Sequence, residues 1–516
     1  MWTRTPALLG ALSLASTVTL SHAAASSSSS SHAHSHSNPT SASNAARLTT
    51  VVTQPASSTS TSTSVASTSS SAAAAASTGI DRTTEQGEAK ILDPNQECSY
   101  YSYPPVTQIL PSYPDIWVTA DLSNAGITEY DRSLFNALNA TIPNIAPRGT
   151  RAGDFDGVSY DGVKDEDCWW TYSRCTTPKL ENLKPDVTQC NEPNSWGFTL
   201  DDGPNCSHNA YFDYLESIKQ KATLFYIGSN VLDWPLEAQR GLADGHEICS
   251  HTWSHPYMTS MTNEQAFAEL YFSKKAIKDI LGITVRCWRP PYGDVDDRIR
   301  YIAQALDMET IIWDEDTFDY DWVTLGKPAI RANYDAILAK QANGTYNTRG
   351  IIVLTHEIDG GTMELSQEYL PKMQAQFSGG VVPVGTCRNV TEPYVETSDF
   401  IYPNYAQYMS GTRSISLASP TANPSNGAEL ILDPTAASTT TAVGATSTGA
   451  AQASALAQSR AAAISSGTNS ASKASTTGEK KKGAAPRSAG FDAVGKAVAV
   501  VGGVAASVFL GAGLVV

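Results

Sequence analysis

Two carboxylates stand side by side in Thr199-Leu200-Asp201-Asp202-Gly203-Pro204, on a turn forced by glycine and proline. Adjacent aspartates point in different directions, so one can bind a cation while the other faces a substrate. They cannot flank a glycosidic bond at the roughly 5 to 9 Å separation that glycosidases use. On its own the segment reads better as an Asp-rich turn that caps the next helix. Further along, His251-Thr252-Trp253-Ser254-His255 sets two imidazoles at i and i+4, which one helical turn would bring side by side. Two neutral imidazoles and one carboxylate make the ligand shell of a catalytic zinc, with a further position open to water. The neighbouring His246-Glu247-Ile248-Cys249-Ser250 begins like a metalloprotease helix, but Ser250 stands where the second histidine would be needed.

Three later segments carry further chemistry. In Arg289-Pro290-Pro291-Tyr292-Gly293, successive prolines stiffen a turn that presents a guanidinium and the Tyr292 amide. Trp313-Asp314-Glu315-Asp316-Thr317-Phe318-Asp319-Tyr320 is an acidic stretch that solvated charge alone would explain. Leu354-Thr355-His356 places an imidazole at the end of an apolar run, where a lone histidine is more often structural than catalytic.

Positioning these groups requires regular elements, and β-type runs alternate with stretches of helical period. The expected strands are Trp196 to Leu200, Ala222 to Ile227, Glu247 to Ser250, Val285 to Trp288, Glu309 to Trp313, Gly350 to Leu354 and Gly380 to Val384. The expected helices are Asn209 to Gln220, Pro235 to Asp244, Asn263 to Leu281, Val295 to Leu306, Pro328 to Gln341 and Leu365 to Gln376, the third opened by a Thr262/Gln265 capping box. Such alternation implies an α/β fold with parallel strands and outer helices. The chemically able residues follow several different strands rather than one switch point, which favours a distorted (β/α) barrel of about seven parallel strands over an open sheet.

The outer parts of the 516-residue chain read differently. Residues 1–23 have the charged start, apolar centre and small-residue exit of a secretory signal peptide. Residues 24–90 and 411–485 are Ser/Thr/Ala-rich, with too few large apolar side chains to offset ordering, and are expected to be disordered stalks. Between them lie an aromatic, Pro-rich extension over 95–190 and the barrel over 191–410. Residues 486–516 resemble a glycosylphosphatidylinositol attachment signal. Small residues at Ser488, Ala489 and Gly490, or at Gly483, precede the weakly apolar run Ala497 to Val516. A secreted chain meets an oxidising compartment, so Cys98, Cys168, Cys175, Cys190, Cys206, Cys249, Cys287 and Cys387 are expected to form disulfides, with connectivity open. Asn139, Asn205, Asn343 and Asn389 head glycosylation triplets, although Cys206 occupies the middle of the second. A net charge of −16 argues against a nucleic-acid partner.

In order, TLDDGP, HTWSH, RPPY, the acidic stretch and LTH resemble the motifs of the polysaccharide deacetylase family, carbohydrate esterase family four: TFDDGP, HxxxH, RPPY, DxxDW and LxH. The resemblance runs from about Trp196 to His356, and the stalks, cysteines and anchor signal widen it to fungal chitin deacetylases. It implies Asp201 as general base, Asp202, His251 and His255 as ligands of Zn²⁺ or alternatively Co²⁺, and Arg289 as the residue that orients Asp201. It further implies the Tyr292 amide as oxyanion donor, His356 as general acid, Asp319 as its partner, and Trp313 and Leu354 as walls of the acetyl pocket. Leu200 replaces the family's phenylalanine and Tyr320 its tryptophan. Because Asp321-Trp322 follows directly, either Asp319 or Asp321 could orient the histidine.

The implied activity is removal of N-acetyl groups from chitin by a monomer held at the cell wall and the outer face of the plasma membrane. A non-catalytic chitin-binding wall protein and a deacetylase of another polysaccharide, such as acetylxylan, are the competing expectations.

Overall fold

The computed structural model describes residues 80–397 and 400–422. The signal segment, most of both stalks and all the anchor candidates, Gly483, Ser488, Ala489 and Gly490, lie outside them. One parallel sheet organises the described residues. Its strands are β1 (Trp196–Gly203), β2 (Thr223–Tyr226), β3 (Glu247–Ser250), β4 (Cys287–Trp288), β5 (Glu309–Thr310), β6 (Glu315–Asp316), β7 (Ile351–Leu354) and β8 (Val381–Val382). They are ordered β5-β4-β3-β2-β1-β7-β6, with β8 beside the start of β1. The central strand is buried along nearly its whole length, as a strand covered on both faces must be. Gly197 in it has no room for a side chain: a Cβ would sit 2.9 Å from Cys190 Sγ and 3.0 Å from the Ile351 carbonyl.

The seven expected strands all form, several of them shorter than expected, and β6 is additional. The acidic stretch after Trp313 is therefore not simply solvated charge. Glu315 and Asp316 pair with Val353 and Leu354, while Glu309 and Thr310 pair with Cys287 and Trp288. One run, 309–316, thus hydrogen-bonds to both edges of the sheet, and this curls the sheet round on itself. The expected fifth strand stops at Thr310 because the chain leaves one edge for the other. Ile312 donates to the Val187 carbonyl at 2.8 Å and Asp314 to that of Ile352 at 3.1 Å. The result is a distorted α/β barrel of the kind the strand spacing implied, a curled half-barrel whose two end strands, β5 and β6, belong to one continuous run but do not pair with each other.

Helices Asn209–Ser217, Pro235–Ala243, Asn263–Leu281, Asp297–Ala305, Lys327–Ala342 and Gly360–Gln376 return the chain between strands, and Gly228–Asp233 is one more than expected. The Thr262/Gln265 capping box is formed in both directions. Two stretches read as stalk are instead packed on the barrel. Helix Glu85–Glu88 is held there because Asn209 Nδ2 donates to the carbonyls of Glu88 and Ile91. Ser416–Leu417 pairs antiparallel with Phe400–Ile401.

The segment before the barrel shares its core. Tyr113 stacks on Trp253 at 5.6 Å and donates to Asp279 at 2.6 Å; Phe135 packs on Phe267. The eight cysteines pair as Cys98–Cys206, Cys168–Cys175, Cys190–Cys387 and Cys249–Cys287. The first ties this segment to the loop after β1, and the third ties its end to the helical turn Val384–Cys387 that follows β8.

Candidate active site

The expected site residues meet at the carboxyl ends of the strands, where a parallel barrel gathers its chemistry. Asp201 and Asp202 close β1, and Asp202 turns outward in the left-handed region at φ 70°, with its carbonyl held by Asn230 Nδ2 at 2.8 Å. Its Oδ1 lies 3.3 Å from His251 Nε2 and 3.1 Å from His255 Nε2. The two histidines do not ride on a helical turn. They sit on an irregular loop in which Thr252 and His255 have φ of 67° and 56°, and these reversals, not helical period, bring the rings to 4.9 Å.

This trio suits a divalent cation. Asp202 Oδ1 is buried and meets no donor other than the two imidazoles. His251 Nδ1 is 2.9 Å from the Arg289 carbonyl, which only accepts, so that nitrogen carries the ring proton and Nε2 offers a lone pair. His255 Nδ1 meets Tyr292 Oη at 3.2 Å and leaves its own Nε2 toward the carboxylate. Burial pushes the Asp202 carboxyl up, but with no cation present protonated His255 and His251 outweigh it and hold the group well below the usual carboxylate range, the charge a bound cation would supply in place of those protons. Among the described residues, the other convergent His/Cys/Asp/Glu groups contain Cys168 with Cys175 or Cys249 with Cys287, whose sulfurs are spent in disulfides.

Asp201 faces the same centre, its Oδ2 3.9 Å from His251 Nε2. Arg289, fully buried, fixes the other oxygen at 2.7 Å and reaches Thr199 Oγ1 at 2.8 Å. Burial lowers the guanidinium's pKa and Asp201 opposes that shift. His356 is the bridge partner of Asp201 in the sheet. Asp319, not Asp321, holds it: Asp319 Oδ1 takes Nδ1 at 2.6 Å and Oδ2 takes the His356 amide at 2.8 Å. Burial works against a charge on this ring, but Asp319 overrides it, with help from Asp202 and Asp201, and the pKa is pushed up to about 9.

A cleft of about 1340 Å³ opens over these groups, lined also by Tyr292, Trp313 and Leu354. Tyr292 has φ 58° and stacks flat on Tyr257 at 4.0 Å. Trp313 packs edge-on against Trp170 at 5.0 Å. Several supports escaped sequence reasoning. Glu269 accepts from the amides of Trp253 and Ser254 and from Ser254 Oγ, at 2.7 to 3.0 Å, and so braces the histidine loop from beneath. A carboxylate on the apolar face of Asn263–Leu281 was the signal for it. Glu357, fully buried on His208, fills the space under Gly203, where a Cβ would come 1.5 Å from its Oε1. Trp170 had no signal, because it lies in the extension. Of the glycosylation candidates, Asn139, Asn343 and Asn389 are exposed, whereas Asn205 lines the cleft and spends its amide on the Ile358 carbonyl at 2.7 Å. His246 and Glu247 are buried in hydrogen bonds to Ala222 and to Thr223 and Gly385, away from the cleft.

Residues 188–311 match the sequence profile of the family described as polysaccharide deacetylase. A protein named chitin deacetylase 2 from Cryptococcus neoformans var. grubii is 49% identical over 341 residues, covering 65% of this chain and 74% of that one. The chain belongs to the polysaccharide deacetylase family. A protein named chitin deacetylase from Amylomyces rouxii is 45% identical, covering 64% of this chain and 77% of its own. A solved chitin deacetylase from Colletotrichum lindemuthianum aligns at 23% identity and a TM-score of 0.37, over 39% of this chain and 91% of that one.

The His356–Asp319 pair makes the stability of this family member depend on pH. The folded pKa lies above the ordinary histidine value, so the stabilisation is complete below about pH 6.5 and is lost as pH rises through about 9. Asp319→Asn is expected to destabilise the metal-free protein by on the order of 3 kcal/mol near pH 6 in denaturant unfolding, with the gap to wild type closing toward pH 9. A gap that did not change with pH would show that the pair is not the source.

Proposed function

We propose that the chain hydrolyses the N-acetyl groups of N-acetylglucosamine units in chitin, releasing acetate and leaving chitosan. The observation that carries this reading is the trio Asp202, His251 and His255 with a fixed carboxylate, Asp201, and a charged imidazole, His356, against it in one open cleft. Membership of the family and the names of its relatives at 45–49% identity support the substrate.

A Zn²⁺ or Co²⁺ ion held by Asp202, His251 and His255 would acidify a water and polarise an acyl oxygen. The chain's own residues account for the remaining chemistry. Asp201, pinned by Arg289, is the proton acceptor for the water whose oxygen adds to the acetamide carbon. The Tyr292 amide donates to the oxygen that gains charge as the carbon becomes tetrahedral. His356, kept cationic by Asp319, delivers a proton to the nitrogen as the C–N bond breaks, so acetate and a free amine leave. Trp313 and Leu354 enclose the methyl group and keep bulk water from it.

Acetate released from N-acetylglucosamine oligomers is expected to stop with a chelator and to return with Zn²⁺ or Co²⁺. Asp201→Asn should lower kcat by about 10³ or more while still binding one metal ion. Release that a chelator leaves untouched, or chitin binding without any acetate, would overturn the reading and favour a wall-binding protein.

We also propose that the enzyme is a secreted monomer tethered by a glycosylphosphatidylinositol anchor at the wall and membrane face. The apolar run 497–516 with small residues at 483–490 supports this reading. Phosphatidylinositol-specific phospholipase should release the activity from intact cells; activity that stays membrane-bound after digestion would argue for another form of attachment.

A further inference from the structure

The cleft wall next to the histidine loop is built from outside the barrel. Trp117, in the segment that precedes β1, lines the cleft with an indole 44% exposed. Burial therefore does not explain its place. Its backbone sits at φ 62°, a left-handed conformation that a bulky residue takes at a cost of about 1–3 kcal/mol.

The surroundings hold it there. Its amide donates to Ser229 Oγ at 3.0 Å, and that hydroxyl donates to the Trp253 carbonyl at 2.7 Å. Trp253 Nε1 donates to the Asp115 carbonyl at 3.1 Å. Arg151 joins the Trp117 carbonyl to Ser254, whose carbonyl it meets at 2.8 Å. Both anchors on the far side, Trp253 and Ser254, lie between His251 and His255. The tryptophan is thus fixed to the loop that carries the imidazoles.

Across the reaction centre stands a counterpart. Phe318, 42% exposed and at φ 55°, also lines the cleft, beside Tyr320, whose ring meets His356 edge-on at 5.1 Å. In the sheet order Trp117 is tied to the loop after β3, on one side of β1, and Phe318 follows β6, on the other, and both line the cleft that holds Asp201 and Asp202. A pyranose chain presents apolar C–H faces that stack on such rings, and a cleft of about 1340 Å³ has room for more than the reacting unit.

We infer that Trp117 is a stacking platform for a sugar unit next to the one that reacts, so that the segment before the barrel selects for polymer length. The inference rests on the proposed activity and adds a specificity-determining residue to it. The experiment compares N-acetylglucosamine dimer with pentamer. Trp117→Ala should lower the pentamer-to-dimer ratio of kcat/KM about tenfold, mainly through KM, and Trp117→Tyr should restore most of that ratio. Calorimetric titration of the same oligomers needs no turnover and so separates this inference from the activity: the pentamer Kd should rise about tenfold in Trp117→Ala. A ratio and a pentamer Kd unchanged from wild type in Trp117→Ala, with its thermal unfolding intact, would overturn the inference. Acetate release absent from every oligomer while the Kd shift persists would count against the activity and support the platform.

Discussion

A carboxylate removed from water is stable only where charge or donors replace its hydration. Asp202 Oδ1 is buried and faces only two ring nitrogens, at 3.1 and 3.3 Å. The rest of the site is arranged around that oxygen. The left-handed turn at Asp202 aims it, and the Arg289 carbonyl fixes the proton on the far side of His251. Glu269 steadies the loop that returns His255. A cation at this point answers the unpaired charge and gives the adjacent carboxylate and imidazole something to act beside.

The barrel supplies precision by topology. Asp201 and His356 lie across one parallel bridge, so the distance between a proton acceptor and a proton donor is set by sheet geometry rather than by loops. Arg289 follows β4 and Asp319 lies in the turn just after β6. Residues far apart in the chain therefore gain a common frame only when 309–316 bonds to both edges.

Much of this could be read from the sequence. The strand periods located β1, β3 and β7 well because they are buried on both sides, and the Thr262 box marked its helix to the residue. No single motif carried the site: the aspartate turn, the spaced histidines and the lone His356 each had a structural reading, and their roles came from the order of the five motifs, which resembles that of the polysaccharide deacetylase family. What could not be read has physical causes. The His251–His255 pairing comes from two left-handed residues, which spacing does not reveal. The break at Thr310 reflects pairing with two distant strands, and the choice of Asp319 over Asp321 depends on one short turn. The segment before the barrel has no repeating period, so Trp117 and Trp170 gave no sign that they line the cleft.

X-ray absorption at the zinc edge of the purified, zinc-loaded protein tests the central claim most directly. The account predicts a shell of two imidazole nitrogens with carboxylate and water oxygens at about 2.0–2.1 Å, lost in Asp202→Ala. A shell containing sulfur, or one without imidazole scattering, would contradict it.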